Sequence, residues 1–150
     1  MKNVINEMNL NFLSRSYNEG FARATVSAFV AQLDPTIDEL ADIKTAVSEA
    51  VTNCIVHGYK SGIGTVYISS KIYDNGKILI KIRDKGCGIE NIEQAMEPLF
   101  TTGGSERAGL GFAVMQSFMD KIKVTSKPGK GTIVTLEKNI IRRPVKKESK

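Results

Sequence analysis

The chain has 150 residues, 41% of them hydrophobic, which suits one domain around one core and argues against a second domain. Its formal charge of +5 invites a nucleic-acid or membrane reading, but Arg142 to Lys150 carry five Lys/Arg and one Glu, so the excess sits in a basic tail and the rest is nearly neutral. No apolar run approaches the roughly 20 residues needed to cross a bilayer, and two cysteines with one histidine make no metal framework; a cytoplasmic domain over residues 1–141 with a solvated tail over 142–150 is expected, without direct nucleic-acid or membrane contact.

Met8, Leu10 and Phe12 alternate with polar residues and predict a first strand, ending near Ser14-Arg15-Ser16. A helix over Asn18 to Leu33 follows, with an apolar or small stripe at Phe21, Ala24, Thr25, Ala28 and Phe29, and with Glu19 and Arg23 on another face. Asp34-Pro35 breaks it. Thr36 and Glu39 form a capping-box signature for a second helix, whose stripe runs Ile37, Leu40, Ile43, Val47, Val51 and Cys54 and which Gly58 closes.

Two strands, Thr65 to Tyr73 and Lys77 to Asp84, flank Asp74-Asn75-Gly76, whose Asn-Gly pair is a strong hairpin signal. A short helix is predicted around Asn91 to Met96, then a flexible, lid-like stretch from Thr101 to Ala108 that lacks apolar periodicity. The last helix is placed at Leu110 to Asp120, before strands at Ile122 to Ser126 and Thr132 to Asn139. This order implies an α+β two-layer sandwich: a mixed, mostly antiparallel sheet with helices on one face.

Four constellations bear chemistry. Glu49 and Asn53 stand i and i+4 on one helix face. The carboxylate suits a general base and the amide oxygen a hard cation such as Mg²⁺; the pair alone suits an exposed polar pair equally well. Asp84-Lys85-Gly86-Cys87-Gly88 ends a strand with a carboxylate and two glycines, fit either for an ordinary turn or for close approach to a flat ligand whose exocyclic amine Asp84 accepts. Gly103-Gly104 through Gly109-Leu110-Gly111 sets glycines directly before and at the start of the predicted helix, where free N–H groups favour phosphate, with Arg107 in the lid between them. Gly129-Lys130-Gly131-Thr132 reads as a hairpin turn, or as a way to bring the Thr132 hydroxyl near a base. His57, late in the second helix, suits helix-end packing or capping better than a phospho-acceptor role. Cys54 and Cys87 read as small apolar fillers.

In this order, helix Glu/Asn, strand-end Asp-x-Gly-x-Gly, lid with Gly-x-Gly and then Gly-Thr, the four motifs resemble the ATPase superfamily of DNA gyrase, Hsp90 and sensor histidine kinases; no P-loop motif is present. Phe29 to Thr36, Glu49 to Asn53 with His57-Gly58-Tyr59, and Pro98-Leu99-Phe100-Thr101-Thr102 resemble the anti-sigma F factor family of spore-forming bacteria, small serine protein kinases. The resemblance implies a Bergerat-type ATP/ADP site with Glu49 as catalytic base, Asn53 as Mg²⁺ ligand and Asp84 as adenine reader. Gly86, Gly88, Thr101, Thr102, Gly109, Leu110, Gly111 and Thr132 would line the nucleotide, and Arg107 would sit in the lid. It also implies a homodimer that holds a sporulation sigma factor F and phosphorylates an anti-anti-sigma factor on serine, with Asn18, Glu19 and Arg23 meeting the partners. Two other readings stay open: a nucleotide-gated inhibitor without turnover, and a detached histidine-kinase catalytic domain.

Overall fold

The computed structural model describes residues 3–96 and 105–140, with side chains not described for 105–110. Five strands, β1 (Val4–Leu13), β2 (Thr65–Tyr73), β3 (Lys77–Asp84), β4 (Lys121–Lys127) and β5 (Gly131–Asn139), form one sheet in the order β1-β2-β3-β5-β4. Every pairing is antiparallel, in keeping with the mostly antiparallel sheet expected from the sequence and without a parallel pair among the described strands. The reason is the last hairpin: the chain leaves β3, returns through two helices to run β4 on the outer edge, and turns at Lys127 to Gly131 to insert β5 beside β3.

The other described elements are helices α1 (Tyr17–Val30), which ends in a 3-10 turn at Ala31–Leu33, α2 (Ile37–Asn53), which ends in a π turn, α3 (Ile92–Met96) and α4 (Ser105–Phe118). The Thr36 hydroxyl accepts from the Glu39 N–H and the Glu39 carboxylate accepts from the Thr36 N–H, so the predicted capping box starts α2. At its far end the chain widens into one π turn, Cys54–Gly58, before Tyr59 leaves it. Ile43, Ala46, Val47, Ala50 and Val51 of α2 are buried against Val66, Ile68, Ile78, Ile80 and Ile82 of the sheet. Ile37 is 87% exposed, because the first turn of α2 projects past the core.

The stripe assigned to α1 is displaced. Its buried side chains are Ala22, Val26, Ser27 and Val30, whereas Phe21 is half-exposed and Ala24 and Ala28 face solvent. Both faces of this helix are apolar or small, so periodicity alone did not select between them. The helix assigned to Leu110 begins at Ser105, and part of the expected lid, Ser105 to Ala108, is its first turn; Thr101 to Gly104 lie outside the described residues, as does the 142–150 tail.

The uncovered face of the sheet carries odd-numbered side chains of β2, β3 and β4, among them Lys71, Lys77, Lys81, Arg83, Lys121, Lys123 and Lys127, and Lys85, just past β3, joins Arg83 over the Tyr67 ring. Among the described residues its carboxylates are Glu7 and Glu137, the latter bridged to Lys77 at 2.9 Å. The body of the chain is therefore near neutral in sum but sharply divided in space, and the tail is not the only basic region.

Candidate functional site

One end of the helix layer, where α2 and its π turn meet the ends of β3, β4 and β5, encloses a cavity of about 460 Å³. Ala50, Ile82, Phe112 and Val134 form apolar walls, and Asn53, His57, Asp84 and Thr132 supply polar atoms. Such a lining, mostly apolar with a few convergent polar groups, fits a flat heteroaromatic ligand.

Asp84 reaches the cavity because side chains alternate along β3: Ile78, Ile80 and Ile82 are buried, and the next residue on that face is Asp84, 4% exposed. Its Oδ1 accepts from the Gly86 N–H at 2.9 Å, and the carboxylate also accepts from the Cys54 thiol and the Thr132 N–H. Burial raises its pKa, and these three donors pull in the opposite direction. Cys54 has its own pKa pushed well up, first by burial and then by the Asp84 charge, so it stays a neutral donor. It is more than the filler expected from sequence.

Glycines let these pieces touch. A Cβ on Gly58 would stand 2.7 Å from Asp84 Oδ2; one on Gly86 would overlap the Gly58 carbonyl; one on Gly88, where φ is +74°, would overlap the Lys127 carbonyl. The Cys87 N–H donates to the Gly58 carbonyl at 2.9 Å, and the Cys87 carbonyl accepts from Gly129 N–H at 2.7 Å. The Asp-x-Gly-x-Gly loop is thus clamped between the π turn and the β4–β5 turn. Thr132 lies opposite Asp84 in the β3–β5 register, its hydroxyl 2.8 Å from Ser126 Oγ, which also accepts from the Ile89 N–H at 2.8 Å. Tyr59 ties the rim together: its hydroxyl donates to the Thr65 carbonyl and accepts from the Lys85 N–H, each at 2.6 Å. Burial raises the Tyr59 pKa.

At the α4 side stand Glu49, Asn53 and Gly111. A Cβ on Gly111 would lie 3.2 Å from Glu49 Oε2 and 3.3 Å from both Asn53 amide atoms, so α4 crosses directly over the Glu49–Asn53 turn. Both polar atoms of the Asn53 amide are fully buried and have no hydrogen-bond partner among the described residues. A buried amide left unpaired costs about 1–3 kcal/mol unless something fills the place. This is the fit expected of a ligand-binding amide: its oxygen suits a hard cation, and the carboxylate beside it is half-buried rather than solvent-spread.

The other candidates divide. Gly109, Leu110 and Gly111 lie past the first turn of α4, so their N–H groups are inside the helical ladder; the N–H groups free at this helix start are those of its first turn. Gly111 therefore contributes by close approach rather than as a helix-terminal donor. Thr101 and Thr102 lie outside the described residues, and the Arg107 side chain is not described. Asn18, Glu19 and Arg23 do not line the cavity. Asn18 Nδ2 donates to the Leu13 carbonyl at 2.9 Å, Glu19 and Arg23 pair at 3.2 Å, and Arg23 Nη1 reaches Ser48 Oγ at 3.4 Å, one residue from Glu49. Cys87, read as a filler, is exposed, and its thiol lies 3.1 Å from the His57 carbonyl on the cavity lining.

Residues 15–138 match the family described as the histidine kinase-like ATPase domain. An anti-sigma F factor of Thermoanaerobacter sp. is 63% identical over 136 residues, 90% of this chain and 94% of that protein. One from Geobacillus thermodenitrificans is 54% identical, covering 91% and 94%. The fold is similar to that of a Mycobacterium tuberculosis protein solved as the RsbU and RsbW domains of Rv1364c, with a TM-score of 0.68 at 18% identity over 92% of this chain and 33% of that one. A histidine kinase domain from Erythrobacter litoralis gives a TM-score of 0.55 at 19% identity, covering 81% and 61%. With a buried Asp84, a clamped glycine loop and relatives this similar along nine-tenths of its length, the chain belongs to the anti-sigma F factor family, built on the histidine kinase-like ATPase domain.

Proposed function

We propose that this protein binds a sporulation sigma factor F as a cytoplasmic homodimer and uses ATP to phosphorylate an anti-anti-sigma factor on serine, with residues 1–141 as the kinase domain. The observation that carries the reading is the buried, unpartnered Asn53 amide beside Glu49 and Gly111, at the α4 side of a cavity that Asp84 also lines. Ile82, Phe112 and Val134 take the faces of the adenine ring, and Asp84, held in place by Gly86 and Cys54, accepts from its exocyclic amine. Asn53 Oδ1 is the protein ligand available to Mg²⁺, and when bound that ion neutralises charge on the phosphates.

Glu49 accepts the proton of the attacking serine hydroxyl. Its carboxylate lies on the same α2 turn as Asn53, and the Gly111 backbone fixes the approach of α4 to both, so positioning supplies much of the rate. Asn18, Glu19 and Arg23, near this turn through Arg23 and Ser48, form the partner-facing patch. With γ-labelled ATP and the cognate anti-anti-sigma factor, label should appear on a partner serine. Glu49→Ala should retain ATP binding while transfer falls by about 10²–10⁴-fold. Transfer at the unsubstituted rate would remove Glu49 as base, whereas tight sigma binding with no label from the unsubstituted protein would favour a nucleotide-gated inhibitor.

A further inference from the structure

The cavity contains a chemical group that neither nucleotide binding nor phosphoryl transfer employs. Both cysteines line it, and they are opposites: Cys54 is buried and bonded to Asp84, whereas Cys87 is exposed. Cys87 sits between Gly86 and Gly88, with its N–H held by the Gly58 carbonyl and its carbonyl by the Gly129 N–H, so its backbone cannot swing the side chain away. Its thiol lies 3.1 Å from the His57 carbonyl, another group of the lining. Independently, the buried and unpartnered Asn53 amide marks the same cavity as one made for a ligand.

We propose that Cys87 is a modification site through which low-molecular-weight disulfides close the nucleotide cavity reversibly. The inference rests on the nucleotide reading given above. The Cys87 thiol loses its proton to solvent; the thiolate attacks one sulfur of the disulfide, RSSR, forming the Cys87–S–S–R bond and releasing RS⁻. The disulfide is the oxidant, so atoms and electrons balance. A second thiol reverses the step. The R group then occupies part of a space of about 460 Å³, and an adduct and an adenine ring compete for it. Cys54, buried behind the Asp84 carboxylate, is the internal control.

The test uses the full chain and oxidised glutathione. Intact mass and peptide mapping should place one adduct on Cys87 and none on Cys54 in the folded protein, and saturating ADP should slow its formation. By calorimetry the adduct should bind ADP about tenfold more weakly or worse, with recovery on adding dithiothreitol. In Cys87→Ser and Cys87→Ala, whatever affinity each retains should not change on exposure to the disulfide. An adduct on Cys87 with ADP affinity unchanged overturns the proposal, as does failure of the adduct to form or ADP-independent formation. Failure of the unmodified protein to bind ADP would instead overturn the nucleotide reading, so the two outcomes are separable.

Discussion

Replacing Gly111 by alanine should move stability and function in opposite directions. Gly111 lies in the second turn of α4 and its φ is not positive, so alanine fits the backbone there. Its helix propensity favours the fold by up to about 1 kcal/mol, or about 2–4 °C in a chain of this size. The added methyl, however, would stand 3.2 Å from Glu49 Oε2 and 3.3 Å from the Asn53 amide atoms, inside ordinary van der Waals separation. Glu49 is half-buried at the end of a flexible side chain, but the Asn53 amide atoms are fully buried. The cost therefore falls on the amide and on the space it opens to.

Calorimetric titration with MgATP should show a loss of about tenfold or more, equivalent to about 1.4 kcal/mol, while the melting temperature holds or rises. The loss should vanish in an Asn53→Ala background, because the two residues act through one contact. MgATP affinity within twofold of the unsubstituted protein would refute the reasoning. So would a fall of several degrees in melting temperature, which would place the methyl's cost in the fold.

Two further substitutions separate fold from site. Asp84→Asn removes the charge that accepts the adenine amine and should weaken ADP binding by about 10–100-fold, as expected for a hydrogen bond to a charged group. Because burial raises the folded pKa of Asp84 above its ordinary value, the folded state binds the proton more tightly, and this group's contribution to stability declines as pH rises from about 4 through the raised value. Urea unfolding between those limits should show the variant gaining on the unsubstituted protein as pH increases; a relative loss would contradict the assigned direction. Gly88→Ala forces a side chain into φ +74° and against the Lys127 carbonyl, and should lower stability by about 2 kcal/mol or more. An unchanged unfolding midpoint would show that the loop is not clamped.

Much of the site was legible because local patterns dictate it. Alternation along Ile78, Ile80 and Ile82 carries Asp84 to the helix-covered face, the Thr36–Glu39 box fixes where α2 starts, and the i, i+4 spacing places Glu49 and Asn53 together. The Asn75-Gly76 turn sets the β2–β3 register, with Gly76 at φ +88°. These are short-range rules of backbone geometry, and they need no knowledge of what packs against what.

What they left undecided involves segments distant in the chain. The all-antiparallel order follows from where the β4–β5 hairpin docks, and the true buried face of α1 from which of two apolar stripes meets α2 and the sheet. Charge counted along the sequence put the basic excess in the tail, but the strand register collects lysines from β2, β3 and β4 on one uncovered face. Cys54 and Cys87 looked alike as small apolar residues; folding gave one a buried bond to Asp84 and left the other exposed at the cavity. The sequence by itself determined Glu49, Asn53 and Asp84 as candidates and their local placement. Only the tertiary structure brought Gly111 against the first two and the glycine loop against the third, because such contacts depend on α4 crossing α2 and on three turns meeting at one end of the sheet.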